Sequence, residues 1–87
     1  MSQAGYSIAC FNRHNDDCIS EQVLVGVDEA TVMRWFGLDS AVDTYCCLGI
    51  EDAPEPQQII AELIALGVAI DLEQFCYDID WVDIDTF

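Results

Sequence analysis

Apolar and polar positions trade places at short intervals along the first part of the chain. Tyr6-Ser-Ile-Ala-Cys-Phe11 predicts a short strand, and the extended pattern resumes from Ile19 to Val27, with Val23, Val25 and Val27 on one face. Between the two runs, His14-Asn-Asp-Asp17 has turn chemistry, because Asn and Asp tolerate unusual φ and bond their own backbone. Two extended runs around a polar tip predict a β-hairpin.

The spacing then lengthens to that of a helix. Asp28 stands where an N-cap sets its carboxylate against the free amides of a first turn. Val27 before it and Val32 four positions after it are placed as a hydrophobic staple. Gly37 followed by Leu38 has the form of a Schellman ending, with Leu38 folding back on Met33. The result is a compact helix of about two and a half turns. It carries Met33, Trp35 and Phe36 towards the core or a partner.

Asp39 to Thr44 reads as a polar link and Tyr45-Cys-Cys-Leu-Gly-Ile50 as a short strand. Pro54 and Pro56 fall in the first turn of a second helix, where a missing N–H leaves nothing unpaired. Ile59, Ile60, Leu63, Ile64 and Leu66 form its apolar stripe, and Gly67 with Val68 repeats the glycine-plus-apolar ending.

The last segment carries two signals. Asp71-Leu-Glu-Gln74 can open a helix as a capping box. After it, Phe75, Tyr77, Ile79 and Trp81 alternate with Cys76, Asp78, Asp80 and Val82, the period of a half-buried strand. The aromatic and β-branched content favours the strand, with one helical turn before it. No internal repeat or linker interrupts the chain, so residues 1–87 are expected to form one domain. The expected fold is α+β: a small antiparallel sheet, made of the N-terminal hairpin and the C-terminal strand, packed against two helices.

Charge changes this picture most. Seventeen acids face two arginines and no lysine, for a formal net charge of -15. With 53% of residues hydrophobic, the chain can still bury a core, unlike a disordered acidic tail. Direct nucleic-acid binding is disfavoured, because it needs Lys and Arg to displace counterions from phosphates. An anionic membrane surface is disfavoured likewise, and a basic protein partner is favoured. The five cysteines have no repeating spacing. No secretory pattern and no apolar run near ~20 residues is visible. A cytoplasmic protein with reduced thiols is therefore expected.

Catalytic chemistry finds little support. His14, the single histidine, falls in the hairpin tip with no nucleophile beside it. Cys10, His14 and Cys18 could gather soft ligands around a hairpin, but strand cysteines alternate in direction and the spacing is no standard zinc signature. In the vicinal pair Cys46-Cys47, one thiol should face the core and one the surface. Nothing cradles a phosphate: there is no glycine-rich loop and no P-loop lysine. No enzyme, metal or cofactor is expected.

The acidic strand has a binding reading with a mechanism. Residues two apart on a strand share a face and lie about 6.6 Å from one another. Asp78 and Asp80 then form a short row of negative points; Asp83 and Asp85 would also meet Lys and Arg of a basic partner, and Asp71 and Glu73 could extend the field. Glu51, Asp52 and Glu55 could widen the field. Tyr77 and Trp81 on the other face belong to the residue types enriched in interface hot spots. The plainer alternatives are a solvated face for the aspartates and core positions for Tyr77 and Trp81.

Two stretches carry a resemblance. MRWFGLDSAVDTYCCL is a helix ending in Phe-Gly-Leu, then an acidic link, then a Tyr that opens an extended segment. AIDLEQFCYDIDWVD is an Ile-Asp-Leu followed by an aromatic and Asp-rich strand. With the leading hairpin, the chain resembles small acidic immunity proteins of polymorphic or contact-dependent growth inhibition toxin systems. The resemblance implies a cytosolic antitoxin that binds a toxin domain, commonly a nuclease, and blocks it, with no catalytic residues of its own. The alternative reading is a phage-type nucleic-acid mimic of the anti-restriction or anti-CRISPR kind.

Whichever holds, crowded carboxylates repel one another, and ions screen that repulsion over a Debye length of about 8 Å at physiological strength. The melting temperature of the isolated protein should rise from low to moderate salt. A flat or falling trend would mean that the acids are dispersed or internally paired.

Overall fold

The computed structural model describes residues 4–84, a four-stranded antiparallel sheet with two helices on one face. Strand β1 (Ala4–Asn12) and strand β2 (Cys18–Leu24) form the expected hairpin. Its turn is closed by Asn12 and Asn15, whose side-chain carbonyls accept from the His14 and Asp17 amides, with Asp16 at φ 59°. Helix α1 (Glu29–Phe36) follows, then a 3-10 turn at Ala41–Thr44 in place of a featureless link. Strand β3 is only Leu48–Gly49, shorter than the run that suggested it. Helix α2 (Pro56–Ala65) and strand β4 (Phe75–Asp83) complete the fold, in strand order β2-β1-β4-β3.

Local chemistry sets the helix ends. Asp28 caps α1, accepting from the Thr31 amide at 2.9 Å and its hydroxyl at 2.8 Å. Gly37 takes φ 65° and Leu38 N–H returns to Met33 O at 2.9 Å, which is the Schellman closure. Gly67 (φ 89°) and Val68 N–H to Leu63 O at 3.0 Å repeat it after α2. Pro56 opens α2, whereas Pro54 stands before it, beyond a 3-10 turn at Ile50–Asp52. A single turn, Phe75 N–H to Asp71 O at 3.0 Å, leads into β4.

The core lies between sheet and helices. Tyr6 and Ile8 from β1, Leu24 from β2 and Tyr77 and Ile79 from β4 meet Val32, Trp35, Ile59 and Leu63 from the helices. Two expected apolar faces are narrower than the sequence suggested. Val25 is 84% exposed, because β2 stops at Leu24 and Gly26 (φ 85°) turns the chain before Val27 enters the core. Ile64 and Leu66 of the α2 stripe are also exposed, so Ile59 and Leu63 do the burying.

Central β1 is dry on both faces. Ser7 and Ala9 point away from the helices yet are fully buried, small residues flanked by larger neighbours on β2 and β4. The Ser7 hydroxyl is buried with no hydrogen-bond partner. In urea unfolding, Ile79→Ala should lower stability by about 2–5 kcal/mol, the usual cost of emptying a fully buried site. Ser7→Ala should cost nothing measurable, since it removes an unpaired polar atom. The reverse ranking would mean that the core is misplaced.

Candidate functional site

The pleat of β4 sorts its residues onto two faces. Tyr77, Ile79 and Trp81 point to the helix side; Cys76, Asp78, Asp80 and Val82 point to the open side. On the open side Asp78 lies opposite Ala9 on β1 and Gly49 on β3, and Asp80 lies opposite Ser7. Glu21 lies opposite Ala9 from β2, so Glu21 and Asp78 are two strand spacings apart, roughly 10 Å. Gly49 leaves room here for two carboxylates. A side chain at that position would start 3.0 Å from the Asp52 carboxylate and 3.5 Å from that of Asp78. The open face is thus paved with small residues between carboxylates.

Cys47 joins this group, its thiol donating to Asp78 Oδ2 at 3.2 Å. Loss of water around the sulfur, then hydrogen bonds to Asp80 and Asp78, push that thiol up to about 12. It is a protonated donor to the acidic row and not a nucleophile. Both cysteines of the vicinal pair are exposed, so neither faces the core as expected. Cys46 instead donates to Asp43 O at 3.2 Å, within the link.

The sequence-predicted site residues do not form one patch. Asp78 and Asp80 share the open face, half-buried. Asp71 and Glu73 sit in the turn before β4, where the Asp71 carboxylate accepts from the Glu73 amide at 3.1 Å. Tyr77 is a core residue: its ring is 6% exposed and its hydroxyl accepts from the Asp71 amide at 2.9 Å. As a surface anchor it is therefore corrected, because the segment after α2, residues 68–71, lies against its side of the strand and ties its hydroxyl. Trp81 and Asp83 lie at the far end, roughly 20 Å along the strand from Phe75. Asp85 lies outside the described residues. Cys10 and Cys18 point to opposite faces of the hairpin, and among the described residues no three His, Cys, Asp or Glu side chains are grouped to hold a metal.

Trp81 is the anchor that stays outside. It is 43% exposed, and Tyr45, 41% exposed, packs against it with ring centroids 4.7 Å apart. Tyr45 is held on two sides. Its hydroxyl donates to Glu29 Oε1 at 2.5 Å, a bond that with desolvation raises the phenol above its ordinary range. The 3-10 turn before it is tied to β1: Thr44 Oγ1 donates to Ala41 O at 2.7 Å, so Tyr6 OH donates to Thr44 Oγ1 at 2.6 Å. Tyr45 and Glu29 were not singled out in the sequence, since only tertiary pairing brings them to Trp81.

Both arginines are engaged internally. Arg13 pairs with Glu51 and donates to Leu72 O at 2.6 Å, pinning the hairpin tip to the turn before β4. Arg34 forks onto Glu62 at 2.7 and 3.1 Å, and Trp35 Nε1 adds a third bond to the same carboxylate at 2.8 Å. These bonds hold the Glu62 carboxyl below its ordinary range. No lysine exists to neutralise the open-face row.

No protein-family model, curated protein or solved structure matches the chain. Among the described residues, no helix is long and apolar enough to cross a membrane.

Replacing both Asp78 and Asp80 by Asn should lower the Cys47 thiol towards its ordinary range. Its alkylation rate at pH 8, followed by mass spectrometry of the labelled peptide, should rise at least about tenfold, one unit of pKa. An unchanged or slower rate would remove Cys47 from the row.

Proposed function

We propose that the protein is a non-enzymatic inhibitor of the immunity-protein or antitoxin kind, acting in the cytoplasm. It binds and neutralises a basic toxin domain, a nuclease in the leading case, through its acidic surface. One observation carries the reading: the chain's only two arginines are engaged in intramolecular ion pairs with Glu51 and Glu62, so among the described residues no cation pairs with half-buried Asp78 and Asp80 or with exposed Glu21 on the open face of the sheet. A surface built that way projects its field outward. Charge complementarity of this type raises association rates from a neutral ~10⁵–10⁶ towards ~10⁸–10⁹ M⁻¹s⁻¹.

The regular i, i+2 spacing of Asp78 and Asp80 also supports the second reading, a nucleic-acid mimic that occupies a DNA- or RNA-binding groove. The partner's identity separates the two.

The protein should be used as bait in a low-salt extract of its native host, and the captured protein assayed with and without stoichiometric inhibitor. A basic nuclease should be recovered and silenced. Exchanging Asp78 and Asp80 for Asn should slow association by about three- to tenfold with little change in dissociation. Recovery of no basic protein, or of one that stays fully active when bound, would refute the inhibitor reading. A restriction or CRISPR effector in the capture would favour the mimic.

A further inference from the structure

The end of the sheet near Trp81 has a shape and chemistry of its own. An open groove of about 480 Å³ runs between β4 and the start of α1, lined by Tyr6, Val27, Asp28, Glu29, Ala30 and Trp81 together with the first residues of β1. It is as apolar as it is polar, with an exposed indole on one side and two carboxylates on the other. Asp83 shares the indole's face of β4 and pairs with Ala4 at the groove's end.

We infer that this groove is a receptor for one arginine side chain of the basic partner, with the guanidinium over the Trp81 ring and its N–H edge towards Glu29 and Asp28. The inference deepens the inhibitor reading, on which it rests for the partner's basic character.

Three features argue for that occupant. A guanidinium is planar, stacks on aromatic faces and offers a fork of donors, which matches an indole beside carboxylates better than an ammonium does. The groove is also organised before anything binds. Glu29 is held by the Tyr45 hydroxyl through one oxygen, leaving its second oxygen to accept, and Tyr45 braces the indole from the side. Finally, Asp28 already serves as the cap of α1, so its carboxylate offsets the positive end of that helix, which would otherwise repel a cation. The Thr31 bonds hold the Asp28 carboxyl below its ordinary range.

An internal control exists. The other indole, Trp35, is 4% exposed and its N–H is fixed on Glu62, so its resonance should ignore a groove ligand and report that the fold is intact. The ¹⁵N-labelled full chain should be titrated with acetyl-Gly-Arg-Gly-amide and, separately, with the neutral citrulline analogue. The arginine peptide should shift the Trp81 indole signal saturably, and the citrulline peptide should not. Glu29→Gln should weaken binding at least about threefold, the scale of one exposed cation–π or ion contact. Ala30→Lys, which sets a tethered cation at the groove, should abolish it.

The inference is overturned if the Trp81 indole does not move, or if both peptides move it alike. It is overturned too if the shift survives both groove variants but vanishes when Asp78 and Asp80 are made Asn. That last outcome would move the cation to the open face and leave the inhibitor reading standing. Capture of no basic partner, by contrast, would remove that reading whatever the peptide does.

Discussion

The antiparallel register between β1 and β4 is the constraint on which the rest depends. It runs unbroken from Ala4 opposite Asp83 to Asn12 opposite Phe75. Because strand side chains alternate, that register decides which half of an acidic-aromatic strand is dry. As observed, Ile79 meets Ile8 and Tyr77 meets Cys10 beneath the helices, while Asp78 and Asp80 meet Ala9 and Ser7 outside. A flip by one residue would turn both aspartates into the apolar cluster that Tyr77 and Ile79 now help to fill, where no described residue is a cation. Burying unpaired carboxylates costs on the order of several kcal/mol each. The aspartates therefore disfavour the flipped register as well as charging the surface.

Charge has a second structural consequence. The chain places its few cations where each joins segments far apart in sequence: Arg13 ties the hairpin tip to Glu51 and Leu72, and Arg34 ties α1 to α2 through Glu62. Exposed pairs of this kind contribute little by themselves. Their effect on the field is larger, since each arginine is paired with a glutamate of its own and neither is paired with Asp78 or Asp80. Stability and recognition then pull against each other. The crowding that would attract a basic partner is the crowding that destabilises the free protein.

Features that depend on a few neighbouring residues were legible in the sequence. Asp28, Gly37 and Gly67 each act within five residues of themselves, and all three end or begin helices as their chemistry predicts. The α+β class and the strand alternation of residues 75–82 follow from periodicity in the same way. What periodicity does not contain is cover. It put Tyr77 and Trp81 on one face, but the segment after α2 buries the first while the second is left exposed beside the start of α1. It could not tell that Gly26 ends β2 before Val25, or that Pro54 stands outside α2. The Tyr45–Trp81 and Cys47–Asp78 contacts join residues far apart in the chain and carry no local signal.

The split of the predicted patch into separate places has a physical reading. A row such as Asp78 and Asp80, half-exposed on the open face, acts at a distance and would set how fast a partner arrives. It does little to keep it, because exposed ion pairs exchange with solvent and salt. Residence time depends on desolvated anchors, and among these Trp is the most effective ring. Among the described residues, the exposed aromatic pair Trp81 with Tyr45 lies on the opposite face of the strand from the aspartate row. A partner that engaged both would have to wrap the end of β4, past Val82 and Asp83. A cleft rimmed with basic residues has the concave shape for that, and a flat basic surface does not. If the proposed basic partner binds here, the field and the exposed indole together would favour one that closes around the strand end.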